Sequence, residues 1–184
     1  MKFRKNVFIH TLTLIFTLIF WQNLSLASEQ IKRGEYLVNF GGCHDCHSPK
    51  IFTDQGPAPD PQKLLSGHPA DTDLPNIPNA VVGPDKWGAV ATNDLTAWYG
   101  PWGVSFAINL TPDPETGLGN WQESQFIQGM RTGKHLGSGR PILPPMPWFG
   151  LAALNDSDLK AIFAYLGSIK AVKNRVPAPI PPSS

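Results

Sequence analysis

The segment Cys43-His44-Asp45-Cys46-His47 constrains this chain more than any other feature of its sequence. Two thiols stand three positions apart and a histidine follows the second one directly, which is the C-x-x-C-H spacing. On a helical turn Cys43 and His47 face the same side, because they lie four positions apart. The segment can therefore offer two thioethers to the vinyl groups of one porphyrin and an imidazole to its iron. It predicts a single covalently attached c-type haem, held by Cys43 and Cys46, with His47 as an iron ligand.

Three other interpretations of the two cysteines fit less well. A thioredoxin-like redox pair is expected beside a βαβ pattern, and none follows here. A structural zinc site takes four ligands, usually from two such pairs, but the chain has two cysteines in all. A structural disulfide across two residues would leave His47 without a role. Because no second C-x-x-C-H occurs, we expect one haem.

The N-terminus is typical of a secretory signal peptide. Three basic residues within the first five precede a largely apolar run at 7–21, and small residues precede Ser28. We expect residues 1–27 to be a signal peptide that is cleaved, which makes the mature protein periplasmic. An uncleaved anchor is the alternative, although the run is shorter and more polar than a spanning helix of about 20 residues. Membrane contact is expected only through an uncleaved signal or a complex.

Loss of the signal changes the charge of the chain. The signal takes 3 of the 15 Lys and Arg, which leaves 12 against 14 Asp and Glu, a formal charge of −2. A nucleic-acid-binding protein needs a basic surface, so nucleic acid is excluded as an expected partner. The remaining length suits one domain, which we place at 28–176, followed by a Pro-rich tail at 177–184 that we expect to be extended and mobile.

Three segments have the apolar spacing of helices, namely 28–40, 121–131 and 156–169. Asn120, with Glu123 three positions on, is the expected N-cap of the second helix, and Asn155 that of the third. The intervening segment 48–119 is rich in Pro, Gly, Asn and Asp and has poor strand patterns, which indicates an ordered loop. The sequence therefore predicts an all-α fold with three main helices around one covalent haem and a long wrapping loop insertion.

An electron-transfer haem needs a second axial ligand, and methionine is the usual partner of histidine. Met130 lies in the middle of a predicted helix, where core packing is the simpler explanation. Met146 lies in the loop 144–147, where three prolines restrict its backbone. We expect Met146 to be the second iron ligand, with His68 and His135 as the rival candidates.

Together these features resemble the class I-like, single-domain c-type cytochromes of bacteria, and in particular the cytochrome modules of periplasmic alcohol and sugar-acid dehydrogenases. The resemblance implies a cytochrome c-like fold in which the N- and C-terminal helices cross. At this crossing Gly34, which has no side chain, would let Tyr165 or Phe163 come close. The segments that carry the resemblance are 33–49, 65–69, 109–121, 126–135, 140–148 and 158–166. The chain departs from the family pattern at 70–106, because this segment is longer than we expect in these cytochrome modules.

By the same resemblance Cys43 and Cys46 are the thioether positions, His47 is the proximal ligand and Met146 the distal one. The chain is then an electron carrier and not an enzyme. It would pass single electrons from a periplasmic dehydrogenase to a terminal oxidase or another cytochrome.

The alternative function is a haem enzyme or a gas sensor with an open iron position. Such a protein places an acid–base group above the iron, and the best distal pair that the sequence offers is His135 with Arg131 or Arg140. Either arginine could instead bind a haem propionate bidentately. Ligand binding and the optical spectrum separate the two functions.

Overall fold

The computed structural model of the chain describes residues 25–77 and 81–182. In this part of the chain the first helix, α1, covers 25–40, and the other elements follow in order: α2 (Cys43–His47), β1 (Lys50–Thr53), β2 (Gly56–Pro59), β3 (Val90–Ala91), β4 (Ala97–Gly100), β5 (Gly103–Phe106), α3 (Glu123–Thr132), a 3₁₀ turn (His135–Gly137), α4 (Trp148–Leu151) and α5 (Asp156–Ser168). The apolar run of the expected signal peptide lies outside the described residues. No helix within the described ranges is both long and apolar enough to cross a membrane.

The three predicted helices form, with small differences at their ends. Asn155 caps α5 as expected, since its side chain accepts a hydrogen bond from the backbone N–H of Asp158 at 2.8 Å. The cap predicted for the second helix is wrong, because α3 begins at Glu123 and its N-cap is Gln122. Asn120 instead donates to the carbonyl oxygen of Pro114 at 2.7 Å and belongs to the preceding turn.

The core lies where α1, α3 and α5 meet. Gly34 on α1 lies directly against Ala161 and Tyr165 on α5, which is the close approach that the family resemblance implied. Burial of each large core side chain stabilises the fold by roughly 1.5–3 kcal/mol. The buried cluster consists of Val38, Leu65, Leu118, Phe126, Met130, Leu159, Ile162 and Leu166.

The all-α prediction is wrong, because the structure is mixed α/β. The segment that was expected to be a loop carries two small antiparallel sheets. One is the hairpin β1–β2, with Lys50 opposite Pro59 and Thr53 opposite Gly56. The other has the strand order β3-β4-β5, with a hairpin between β4 and β5 that pairs Gly100 with Gly103.

These strands escaped prediction for a physical reason. They are two to four residues long, too short for alternation of apolar and polar residues to stand out. Strand β2 has the sequence Gly-Pro-Ala-Pro, and β1 is largely exposed, so the first hairpin buries no apolar face. Backbone pairing rather than a buried face therefore defines it.

The Pro-rich tail lies against the second sheet. Ile180 forms two backbone hydrogen bonds with Val104 of β5, at 2.8 and 2.9 Å. Gly103 has a φ of +88° and lies beneath the Ile180 carbonyl. The tail is thus extended and docked along β5 as far as it is described.

Candidate haem-binding site

Helix α2 carries both cysteines. Cys43 packs against the buried core cluster, and Cys46 on the same turn is partly buried. Burial raises the pKa of the Cys43 thiol to about 11 and also raises the pKa of Cys46. A redox-active C-x-x-C pair depends on a lowered thiol pKa, so these environments do not suit thiol–disulfide exchange.

His47 is 7% exposed and is oriented by one hydrogen bond. Its Nδ1 lies 2.8 Å from the carbonyl oxygen of Ile108. Because a carbonyl oxygen only accepts, Nδ1 carries the proton and Nε2 keeps its lone pair. Burial lowers the pKa of His47, which favours the neutral imidazole. A histidine held in this way, with one nitrogen donating to a carbonyl, is the arrangement that metal-ligating histidines adopt.

The Ile108 carbonyl is held in place by backbone pairing on both sides of it. On one side His68 donates to the carbonyl of Ala107 at 2.9 Å, and on the other Leu110 donates to the carbonyl of Leu65 at 2.8 Å. Gly67, in the same segment as His68, donates to the carbonyl of His47 at 2.8 Å. The segment at 65–68 therefore connects α2 to the segment at 107–110. The acceptor of the His47 proton cannot shift without breaking these bonds.

A buried polar cluster around Asn109 anchors the same segment to the end of the chain. The Asn109 side chain donates to the carbonyl of Val172 at 2.8 Å and accepts from the backbone N–H of Thr111 at 2.9 Å. Asn174 donates to the carbonyls of Ser66 and His68 at 2.7 and 2.8 Å. The residues that follow α5 thus brace both segments that hold His47.

The two methionines occupy different surroundings. Met130 on α3 is 8% exposed and belongs to the core cluster. Met146 is half-buried in the loop between the 3₁₀ turn and α4. That loop is held at several points: Ile142 donates to the carbonyl of Gly133 at 2.8 Å, and Ser105 on β5 donates to the carbonyl of Pro144. The backbone around Met146 is therefore tied to both α3 and the second sheet.

The rings of the rival ligands both contact another side chain, His68 through a hydrogen bond and His135 through an aromatic contact. His68 is 1% exposed, and its Nδ1 lies 2.7 Å from the hydroxyl of Thr96. That hydroxyl donates its one proton to Asp94 at 2.8 Å, so the His68 Nδ1 is the donor. The Nε2 of His68 has no hydrogen-bond partner among the described residues, which keeps it available as a ligand. His135 packs edge-on against Trp121, with ring centroids 4.9 Å apart.

Arg131 has a structural role. Its guanidinium donates to the carbonyl of Ala152 and to the carboxylate of Asp156, the latter at 2.6 Å. These bonds fasten α3 to the beginning of α5. Arg140 donates only to the carbonyl of its neighbour Pro141 within the described structure.

Two contributors to the site were missed in the sequence. The Ile108 carbonyl has no sequence signal, because every residue carries a carbonyl. Lys50 is different: its Nζ donates to the carbonyls of His44 and Asp45 at 3.0 and 2.8 Å. A basic residue just past a short helix is a known partner for the last carbonyls, so the position of Lys50 could have suggested it.

The donor set on α2 fits a c-type haem. Two thiols lie on one turn, the first of them against the apolar core, and an imidazole on the same turn keeps a free Nε2. Among the described residues no cluster of three or more His, Cys, Asp and Glu could hold a metal ion by itself. Two thiols and one imidazole at this spacing are the donors that a c-type haem takes.

No protein-family model matches the chain. It is 40% identical over 78 residues to one of the subunits of nicotinate dehydrogenase from Pseudomonas putida, a match that covers 42% of this chain and 6% of that protein. It is 30% identical over 135 residues to the gluconate 2-dehydrogenase cytochrome c subunit of Pantoea cypripedii, covering 73% of this chain and 22% of the relative. It is 27% identical over 150 residues to the cytochrome c subunit of alcohol dehydrogenase (quinone) from Gluconobacter oxydans, covering 80% of this chain and 23% of the relative.

The chain thus spans less than a quarter of the length of these relatives. The matches to the gluconate and alcohol dehydrogenase subunits nevertheless cover about three quarters or more of this chain. A cytochrome subunit of fructose dehydrogenase from Gluconobacter japonicus matches over a similar share, 76%. The chain is therefore a relative of the cytochrome c subunits of bacterial gluconate, alcohol and fructose dehydrogenases.

Proposed function

We propose that this chain is a periplasmic electron carrier with one covalent c-type haem. Cys43 and Cys46 form the thioethers, and His47 and Met146 are the axial ligands of the iron. The observation that carries the proposal is the hydrogen bond from His47 Nδ1 to the Ile108 carbonyl, because it leaves Nε2 free on the same turn as both thiols.

A bound haem supplies a one-electron redox centre. The protein contributes orientation, ligation and burial. His47 is kept in one tautomer and one ring orientation by Ile108, so that its Nε2 needs little rearrangement between oxidation states. Cys43 adjoins the apolar core, so a haem attached there would have apolar side chains beside it, and burial is one of the properties that set a haem potential.

Met146 is the proposed source of a raised potential. A thioether favours ferrous over ferric iron, and His/Met ligation is associated with higher potentials in c-type cytochromes. The contacts of Gly133 and Ser105 with the loop limit how far Met146 can move when the iron changes charge. A ligand that stays in place keeps the structural rearrangement on electron transfer small.

The proposed partners follow from the relatives. Several of them are named as cytochrome c subunits of dehydrogenases, so a dehydrogenase is the proposed electron donor. On the same ground the chain is an electron-transfer component rather than a catalytic subunit. A terminal oxidase or another cytochrome is the proposed acceptor. A single domain at 28–176, preceded by the cleaved signal 1–27, completes the proposal.

The test is covalent haem attachment with a matched pair of histidine variants. The chain is expressed with its own N-terminus in a host that matures c-type cytochromes. Purified protein should retain haem through acid-acetone extraction, and its mass should exceed that of the mature polypeptide by one haem. Cys43→Ser combined with Cys46→Ser should lose all covalent haem.

His47→Ala should lose the low-spin spectrum, whereas His44→Ala, on the same helix, should keep it. Extractable haem in the unaltered protein would refute the proposal. Ready binding of carbon monoxide or cyanide by the unaltered protein would favour the enzyme or sensor function instead. N-terminal sequencing of the exported protein should begin at Ser28, and a retained leader would indicate an anchor.

A further inference from the structure

The side chain of Lys50 folds back over the C-terminal end of α2. Its Nζ donates to the carbonyl oxygens of His44 at 3.0 Å, Asp45 at 2.8 Å and Ser48, and lies 3.4 Å from that of Asp94. The last carbonyls of a helix have no partner within the helix. An ammonium has three N–H donors, so the three shorter contacts use all of them.

The Lys50 contact adds to the closure of helix α2, whose His44 carbonyl also accepts from the backbone N–H of Ser48 at 3.3 Å. The helix has five residues, its N-cap Gly42 makes no side-chain cap, and a helix this short has little intrinsic stability. In the described part of the chain Lys50 is the one side chain that hydrogen-bonds to the backbone of α2. The lysine therefore closes the turn that carries both thiols and His47.

The charge of Lys50 is not neutralised by an ion pair within the described residues. Its direct partners are neutral carbonyl oxygens, and its amine is partly buried. The acidic groups that face it are Asp45 on α2 and Asp94 before β4, and the Asp94 carboxylate is occupied by the hydroxyls of Thr92 and Thr96. A partly buried charge is screened less than an exposed one, so it acts on other groups of the same turn.

We propose that Lys50 is a positioning residue that closes α2 and whose positive charge raises the reduction potential of the haem. This inference rests on the proposed function. The ferric centre carries one more positive charge than the ferrous centre, so a fixed cation nearby disfavours the ferric form. Removing the cation would therefore favour the ferric form, and the negative ends of the exposed carbonyl dipoles would favour it further.

Lys50→Gln tests the inference, because it removes the charge and keeps an N–H donor for the carbonyls. Lys50→Met is a second neutral variant in case the first folds poorly. Lys50→Arg keeps the charge, and Lys63→Met removes an exposed lysine outside the site. Midpoint potentials are measured by optical redox titration of the purified haem-bound proteins at one pH and salt concentration.

The neutral variants should shift the reduction equilibrium about tenfold toward the ferric form, which is a fall of about 59 mV for a one-electron couple. Lys50→Arg and Lys63→Met should stay within about a third of that shift. An unchanged potential in both neutral variants would overturn the inference, and so would an equal fall in Lys50→Arg. Failure of the proposed function has a different signature, since the unaltered protein would then hold no covalent haem.

Discussion

Gly34 on α1 lies so close to Ala161 on α5 that a Cβ atom at Gly34 would stand 1.9 Å from the Ala161 carbonyl oxygen. The obstacle is backbone, so it cannot turn aside as a side chain could. The neighbouring Arg33 adds a bidentate salt bridge to Asp158, with N–O distances of 2.8 and 3.1 Å. The crossing of the first and last helices therefore depends on the absence of a side chain at residue 34.

We expect Gly34→Ala to destabilise the protein by about 2 kcal/mol or more. Alanine is the better helix former by about 1 kcal/mol, but the overlap forces α1 and α5 apart and disturbs the packing of Val38 and Ile162. Urea unfolding followed by far-UV circular dichroism gives the loss as a lower midpoint.

Gly167→Ala is the matched control for this prediction. Gly167 lies near the end of α5, and a Cβ there would meet nothing within 4 Å. The exchange should be neutral or stabilise by a few tenths of a kcal/mol, because it adds only helix propensity. If Gly34→Ala behaved like Gly167→Ala, the close crossing would not hold in solution.

Asp94 should make stability depend on acid pH. Burial raises the pKa of its carboxyl, but hydrogen bonds from Thr92 and Thr96 outweigh burial and hold the pKa below its ordinary value of 3.8. A lowered carboxyl pKa contributes stability that is complete above about pH 5 and is lost as the pH falls through the folded-state pKa. We expect Asp94→Asn to cost about 1 kcal/mol at pH 7, from the charged hydrogen bond lost.

The difference in unfolding free energy between Asp94→Asn and the unaltered protein should shrink as the pH falls from 5 to 2. Urea titrations across that range measure it. Parallel curves for the two proteins would contradict the role given to Asp94.

Gly103 should control the docking of the tail. Its φ of +88° disfavours any L residue with a side chain, and a Cβ there would lie 2.0 Å from the Ile180 carbonyl. We expect Gly103→Ala to cost about 2 kcal/mol or more and to speed tryptic cleavage after Arg175, because the tail leaves β5.

Gly56→Ala separates backbone strain from lost docking. Gly56 also has a positive φ, +108°, but a Cβ there would meet no atom within 4 Å. It should cost about 1 kcal/mol through strain alone and leave the cleavage rate after Arg175 unchanged. Equal cleavage rates in the two variants would mean that Gly103 does not hold the tail.

The helices could be predicted because each buries one face, and burial imposes a period on the sequence. In α5 the residues Leu159, Ile162 and Leu166 are all buried and stand three and four positions apart. Strands β1 and β2 impose no such period, since Phe52 is exposed and Pro57 and Pro59 interrupt any pattern. Their pairing depends on backbone groups, which every residue carries.

The same distinction applies to the site. Cys43, Cys46 and His47 could be predicted as candidates because the chemistry needs those side chains at that spacing. The Ile108 carbonyl that orients His47 lies 61 residues away and acts through its backbone, so only the fold brings it to the ring. A sequence identifies candidate residues whose side chains have a particular chemistry. It does not identify backbone groups that the fold alone brings to the site.

Met146 is the proposed distal ligand, and a methionine pair tests it directly. Met146→Ala should abolish the near-infrared band of Met-ligated ferric haem, lower the midpoint potential and admit cyanide or carbon monoxide, because it removes the thioether that favours ferrous iron. Met130→Leu should keep the band and exclude those ligands, since Met130 is buried in the core and leucine is close to it in volume. Visible and near-infrared spectra of the ferric proteins, with and without cyanide, measure both effects.

Loss of the band in Met130→Leu with an intact band in Met146→Ala would reverse the assignment. If the unaltered protein lacked the band, His68→Phe and His135→Phe would identify the ligand, and His68 would come first because its Nε2 has no hydrogen-bond partner among the described residues.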